Sequence, residues 1–402
     1  MYDALLNERQ SRLDKLQAGA VLGLMLVGAL FVYSATMVNE AAQLAPLLQQ
    51  SWFRQLLWYA VGAGGALALC LVDYQTLARW SLVAYGITLV LLLAVLIPGV
   101  GSVRYGARRW LDLGFFQFQP SEFAKLAVVL ALAHFLSRPR EELKTAAVYW
   151  KAIGLMLLPF ALILKEPDLG SAIVLLPTGL VMMYVAGVPR RFLLRLVGGV
   201  GIVMTLFLVD VLFAPPHWQI KLEDYQRRRL QVYFGIRSIP PDATPAERQR
   251  LLNEYRDYFH NIRQALISVG SGGLTGKGWR QGTQNALGYL PRAVAHNDFI
   301  FSVIAEEKGF VGSVTVLTLY AVVLFTGIRI AGQARDRLGR LLAVGVVTLL
   351  FSQVFINIGM NIRLMPVTGV PLPLLSYGGS SVVGSLIAMG LMQNVYRYRK
   401  GY

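Results

Sequence analysis

The feature that most constrains this chain is a succession of apolar runs, each close to the roughly 20 residues that a helix needs to cross the hydrocarbon core of a bilayer. They fall near residues 16–36, 54–72, 80–98, 120–136, 147–164, 170–187, 192–213, 299–328, 341–361 and 380–396. In lipid a spanning segment must satisfy its backbone polar groups internally, so such runs fold as helices. The expected architecture is an all-α polytopic membrane protein with about ten transmembrane helices, read as a single domain over 1–402. The eighth run is interrupted by Glu306, Glu307 and Lys308, so its first part is expected to be tilted, buried or interfacial.

Composition agrees: 55% of residues are hydrophobic and only 15% charged, against about 25% charged in soluble domains. The formal charge of +16 would suggest nucleic acid in a soluble protein, but these cations cluster between apolar runs, as membrane orientation requires. No nucleic-acid partner is expected. If the N-terminus is cytoplasmic, Arg138, Arg140, Lys144, Arg190, Arg191, Arg329, Arg335, Arg337, Arg340, Arg397, Arg399 and Lys400 all fall inside, with both termini cytoplasmic in a multi-pass inner-membrane protein. The first run is too long for a signal-peptide core and reads as a retained anchor. Cys70, alone of its kind and set in an apolar run, excludes disulfides and thiolate metal sites within one chain. The four histidines match no zinc spacing.

One segment, about 214–298, is far longer than the other connections and is expected to be a large extracytoplasmic loop. Within it Thr244, Pro245 and Glu247 form a capping-box start, predicting a helix from Pro245. Leu251, Leu252, Tyr255, Phe259, Ile262 and Leu266 then recur at helical spacing before Gly270, the pattern of an interfacial amphipathic helix.

Several residues could carry chemistry. Asp298 directly precedes Phe299-Ile300-Phe301, where the chain re-enters the membrane. A carboxylate there either caps the next helix or, partly desolvated, serves as a general base. Glu122 and Lys125 stand three apart in the fourth run, either lining a polar cavity or pairing to hold helices together. Arg108, Arg109 and Trp110 place guanidinium groups beside an amphipathic ring in a short outer loop, suited to a diphosphate or to lipid phosphates. Asp168 reads as the cap of the sixth helix. Ser376, Gly378 and Gly379 precede the last run, where free helix amides could hold an anion or Ser380 or Ser381 could simply cap. The glycine-dense segment around Lys277 is not a phosphate-binding P-loop, because Ser271 and Gly278 stand where that motif needs Gly and Ser or Thr.

Taken in order, GARRWLDLG, FQPSEFAKLAV, EPDLGSAIVLLP, GSGGLTGKGW, HNDFIFSVIAEEKGFVG and LPLLSYGGSS resemble the SEDS family of peptidoglycan glycosyltransferases over most of the chain, and MPVTGVPLPLLSYGGSS looks most like its RodA branch. The resemblance implies a ten-helix enzyme that polymerises lipid II onto an undecaprenyl-diphosphate-linked glycan at the outer membrane face, with a class B penicillin-binding protein as partner. It puts the family's essential aspartate on Asp298, its Pro-Ser-Glu-x-x-Lys element on Pro120, Ser121, Glu122 and Lys125, and its Arg-Trp pair on Arg109 and Trp110. The chain departs from the family's Leu-Pro-Glu-x-x-Thr-Asp pattern, reading Leu290-Pro291-Arg292 through Asn297-Asp298, so the role of that glutamate does not transfer. Arg109, Lys125, Lys277 or a divalent cation (Mg or Mn), whose ligands are unknown from the sequence, would balance charge on the leaving diphosphate. A lipid II transporter and the division-type FtsW branch are the alternatives.

Overall fold

The computed structural model describes residues 13–38, 44–104, 107–114, 116–213, 233–234, 244–290 and 295–399. Ten long helices coincide with the ten apolar runs: α1 (Lys15–Thr36), α2 (Ser51–Leu71), α3 (Ser81–Leu96), α4 (Pro120–Leu136), α5 (Ala146–Lys165), α6 (Leu169–Ala186), α7 (Arg190–Phe213), α9 (Ile300–Gln333), α10 (Arg337–Asn361) and α11 (Gly379–Arg397). An eleventh, α8 (Pro245–Ser271), belongs to the long connection. Six of these, α1, α5, α6, α7, α9 and α10, are long and apolar enough by themselves to cross a membrane. The chain is a multi-pass membrane protein. Most of segment 214–243 lies outside the described residues, as do 291–294, and with them Arg292.

The helices alternate in direction, and each end of the bundle is stitched by its own polar contacts. At one end Asp14 caps α1 through the Gln17 amide and pairs with Arg329. There Asn394 of α11 donates to the carbonyls of Leu69, in the last turn of α2, and Val72, just after it. Arg335 meets Asp73 at 3.2 Å, and Arg337 donates to the carbonyls of Arg138 and Ala186, which follow α4 and end α6. Arg138, Arg329, Arg335 and Arg337 therefore share this end.

Close helix approach rests on small residues, as packing in lipid favours. A Cβ on Gly62 of α2 would lie 2.6 Å from Leu386, and one on Gly390 of α11 would lie 2.7 Å from the Cα of Ala66. Cys70 is core, with its Sγ 3.6 Å from the Gly390 carbonyl. Gly384 and Ala388 are likewise buried within the bundle, so these small residues serve internal packing. Helix α7 differs: nearly all of it is exposed.

At the other end, the segment between α3 and α4 holds a structure absent from the sequence reading, a small antiparallel sheet in the order β1-β2-β3 (Gly101–Arg104, Ala107–Asp112, Gln117–Phe118). Helix α8 starts at Pro245 with the full Thr244–Glu247 capping box, as its sequence predicts. It runs to Ser271, past Gly270, and buries Ile262, Ala265 and Ser268 while Leu266 is 40% exposed. Its C-terminal half packs against α9 and α10, so that half is a bundle element and not an interfacial helix.

The interrupted eighth run has a defined cause. Helix α9 breaks at Gly309, where φ is 62° and ψ is −154°, a conformation essentially confined to glycine. The glycine-dense loop feeds the break: Phe310 and Val311 amides donate to the carbonyls of Gly273 and Leu274, and Lys277 and Gly278 amides donate to those of Glu306 and Glu307. A helix end leaves such groups orphaned. The loop supplies each of these four partners, and a Cβ on Gly309 would sit 2.4 Å from the Gly276 nitrogen.

Candidate active site

Strand alternation in β2 sends its two arginines to different partners. Arg108 donates to the Leu96 carbonyl at 3.3 Å. Arg109 clasps the turn between α5 and α6: its Nε donates to the Glu166 carbonyl at 3.2 Å, its Nη2 to the Pro167 carbonyl, and its Nη1 lies 4.0 Å from the Asp168 carboxylate. These two outer cations thus hold backbone carbonyls, Arg108 at the end of α3 and Arg109 in the turn between α5 and α6.

Asp168 is the cap of α6, its Oδ1 accepting from the Ser171 amide at 3.1 Å. Its Oδ2 accepts from Gln119 Nε2 at 3.1 Å and from Ser121 Oγ at 3.3 Å, tying that turn to the start of α4. One residue beyond Ser121, Glu122 Oε1 meets Lys125 Nζ at 2.7 Å, with both side chains almost wholly buried. Of the two sequence readings of this pair, the structure shows the ion pair, one residue beyond the Ser121 that binds the polar turn.

Glu166 of the same turn is fully buried, and neither of its carboxyl oxygens has a hydrogen-bond partner. Burial first, then the neighbouring Asp168 charge, push its pKa from 4.5 to about 9 against the opposing pull of Arg109. It therefore carries a proton at neutral pH. The folded state binds more protons at this group than the unfolded state between these two values, so stability falls as pH rises through that window. Glu166→Gln should match the wild type in thermal unfolding at pH 5 and outlast it increasingly toward pH 9. Parallel curves for the two proteins would contradict the assignment.

Asp298 lies across the segment Thr368–Val370 from this turn. Gly170 abuts Thr368 and Val370, where a Cβ would meet Val370 at 2.5 Å and the Thr368 carbonyl at 2.9 Å. On the other side a Cβ on Gly369 would lie 3.6 Å from Asp298 Oδ2. Asp298 is half-buried and sits one residue before Phe299, the N-cap of α9. The position of cap therefore belongs to Phe299.

The turn carrying Asp298 is pinned from two sides. Ser376 Oγ donates to the Asn297 carbonyl and accepts from the Leu372 amide at 2.8 Å, and the Tyr377 amide donates to the His296 carbonyl at 2.9 Å. Leu374, at φ 65°, holds a left-handed conformation costly for a branched side chain. Tyr59 and Tyr320 hydroxyls donate to the carbonyls of Leu374 and Pro373, and Gln55 donates to that of Ser376, securing the loop.

Gly170, which follows the turn that Arg109 clasps, and Asp298 thus both border Thr368–Val370, the Glu122–Lys125 pair follows Ser121 on α4, and Ser376 is a buried brace for the Asp298 turn. Gly378 is the N-cap of α11, which has no side-chain cap; Ser380 Oγ instead accepts from the Gln119 amide at 3.0 Å. Gly379 is a close-packing position, since a Cβ there would lie 2.8 Å from the Trp58 ring. Lys277 stands apart. It meets Glu306 Oε1 at 2.6 Å and Thr283 Oγ1 at 2.7 Å, and Glu306 is eight residues, about 12 Å of helix, beyond Asp298. Its charge is spent on the loop latch. The sequence reading also missed Asn357 and Asn361, although two asparagines four apart in an apolar run are themselves a signal, because polar side chains within membranes are costly and put to use.

An apolar helix bundle that encloses a charged pair, a polar turn and an acid at one membrane end defines a membrane protein with an internal polar site. Sequence comparison gives the family. Residues 15–401 match the model described as the FtsW/RodA/SpoVE cell cycle protein family, and the chain belongs to that family. It is 35% identical to the peptidoglycan glycosyltransferase MrdB of Escherichia coli K12 over 96% of this chain and 95% of that one. It is 38% identical to the stage V sporulation protein E of Bacillus subtilis, covering 96% and 98% of the two chains. Among solved structures it resembles a chain reported under the structural coordination of polymerization and crosslinking by a peptidoglycan synthase complex, with TM-score 0.73, 31% identity and coverage of 97% and 99%. The crystal structure of the rod shape determining protein RodA of Thermus thermophilus matches with TM-score 0.65 and 30% identity over 97% and 98% of the chains.

Proposed function

We propose that this chain is a peptidoglycan glycosyltransferase that polymerises lipid II at the outer face of the cytoplasmic membrane, in the manner of the RodA branch. The observation that carries the reading is Asp298, a half-buried acid on a braced turn facing Gly369. Near-full-length similarity to proteins named peptidoglycan glycosyltransferases supports it.

Asp298 takes the proton from the acceptor sugar hydroxyl as that oxygen attacks the anomeric carbon of the lipid-linked donor. The new glycosidic bond forms as the bond to the diphosphate breaks, and undecaprenyl diphosphate leaves with the bonding pair. General-base help of this kind contributes about 10²–10⁴-fold. Lys125, a buried cation on α4, is the side chain assigned to answer charge on the leaving group. Among the described residues no group of three or more His, Cys, Asp or Glu side chains converges into a closed metal cage. A magnesium or manganese ion, were one bound, would be held on this chain by the Asp298 carboxylate. Bound there, it would neutralise diphosphate charge.

Purified chain in liposomes, given labelled lipid II, tests the reading: glycan strands are the expected product. A change in lipid II accessibility without strands would support a transporter instead, a reading that the buried ion pair would also suit. Co-purification with a class B penicillin-binding protein, and faster polymerisation in that complex, are expected from the elongation role.

Orientation has its own test. In a Cys70→Ala background, Gln249→Cys on α8 and Gln333→Cys at the end of α9, both exposed, should label from opposite sides, Gln249 from outside. Labelling of both from one side would refute the ten-span topology with both termini cytoplasmic.

A further inference from the structure

We propose that Asn357 and Asn361 are positioning residues that aim the Asp298 carboxylate, an inference that rests on the polymerase reading. Both asparagines are fully buried on one face of α10. Asn357 Nδ2 donates to the carbonyl of Asp298 at 3.1 Å and to that of Val370 at 2.8 Å. Asn361 Nδ2 donates to the same Asp298 carbonyl at 3.1 Å, while its Oδ1 accepts from Ser302 Oγ at 2.6 Å. One backbone oxygen thus receives two side-chain amides, which uses both of its lone pairs and fixes the plane of the peptide leaving Asp298.

The geometric consequence follows from that plane. With the peptide held, the Cα–Cβ direction of Asp298 is held, and the second bond of Asn357 sets the spacing between this turn and Thr368–Val370, the segment that Asp298 Oδ2 faces at Gly369. The acid therefore meets its substrate in a preset direction. Such placement matters more for turnover than for binding, because displacing a reacting group by about 1 Å can cost roughly 100-fold in rate.

A buried amide elsewhere in the bundle supplies the control. Asn394 of α11 is also fully buried and also donates to two carbonyls, those of Leu69 and Val72, but at the opposite end of the bundle from Asp298. Asn357→Leu, Asn361→Leu and Asn394→Leu should therefore lower thermal stability alike. The full chain in liposomes with labelled lipid II then separates them. Asn357→Leu and Asn361→Leu should lower kcat roughly 10- to 100-fold with KM within about two-fold of the wild type, whereas Asn394→Leu should keep both. Should a leucine variant fail to fold, Asn357→Asp and Asn361→Asp, which keep the side chain's shape, should give the same split. Unchanged kcat in the α10 variants, a rise in KM alone, or an equal loss of kcat in Asn394→Leu would each overturn the proposal. Asp298→Asn, run alongside, keeps the failures apart: if it polymerises, the base assignment itself is lost, and if it does not while the asparagine variants do, only the positioning role is lost.

Discussion

Lys125→Met should be among the most damaging single substitutions in this protein. The ammonium is 2.7 Å from Glu122 with both side chains almost wholly buried, so removing it leaves a carboxylate without its counter-ion in a medium that solvates charge poorly. Breaking a buried pair from one side typically costs about 3–5 kcal/mol. Glu122→Gln should cost a similar amount by stranding the lysine. The double variant should recover much of the stability, because a neutral pair of similar volume carries no stranded charge. Thermal unfolding of the two single variants and the double one forms a cycle, and a coupling term of at least about 1 kcal/mol is expected for groups in direct contact. Polymerisation should stay low in the double variant, since the buried cation assigned to the leaving group is gone even when the fold is restored. If both single variants melt early but polymerise normally, the pair only holds helices together.

Much of the architecture was legible because lipid leaves the backbone few choices. Each of the ten apolar runs appears as a helix, within a few residues at most ends. The interruption at Glu306-Glu307-Lys308 marked a real break, although its centre is Gly309. What escaped were features set by partners distant in sequence. The sheet after α3 is made of strands only two to six residues long, too short to show periodicity. Arg109 looked like a free cation because the turn it clasps lies 57 residues away. Lys277 looked like a phosphate ligand for the same reason, its partner Glu306 lying 29 residues on. Asp298 stood out because a lone acid at the edge of an apolar run is costly wherever the chain takes it. The amides that brace it were hidden, since nothing local in α10 reveals which carbonyl an asparagine will reach.

Asp298→Asn carries the account's central claim, that one carboxylate on a braced turn supplies the base for glycan synthesis. The amide keeps the shape of the side chain and the turn's bonds to Asn357, Asn361 and Ser376, all of which are made through backbone carbonyls. Folding and insertion should therefore be nearly unchanged, while the proton acceptor is gone. The direct measurement is the length distribution and yield of glycan made from labelled lipid II in liposomes, with wild-type and Asp298→Asn protein at equal amounts of folded chain. The account predicts a ladder of strands from the wild type and a rate at least about 100-fold lower from the variant, the lower bound of general-base contributions. A wild-type ladder from Asp298→Asn would contradict it.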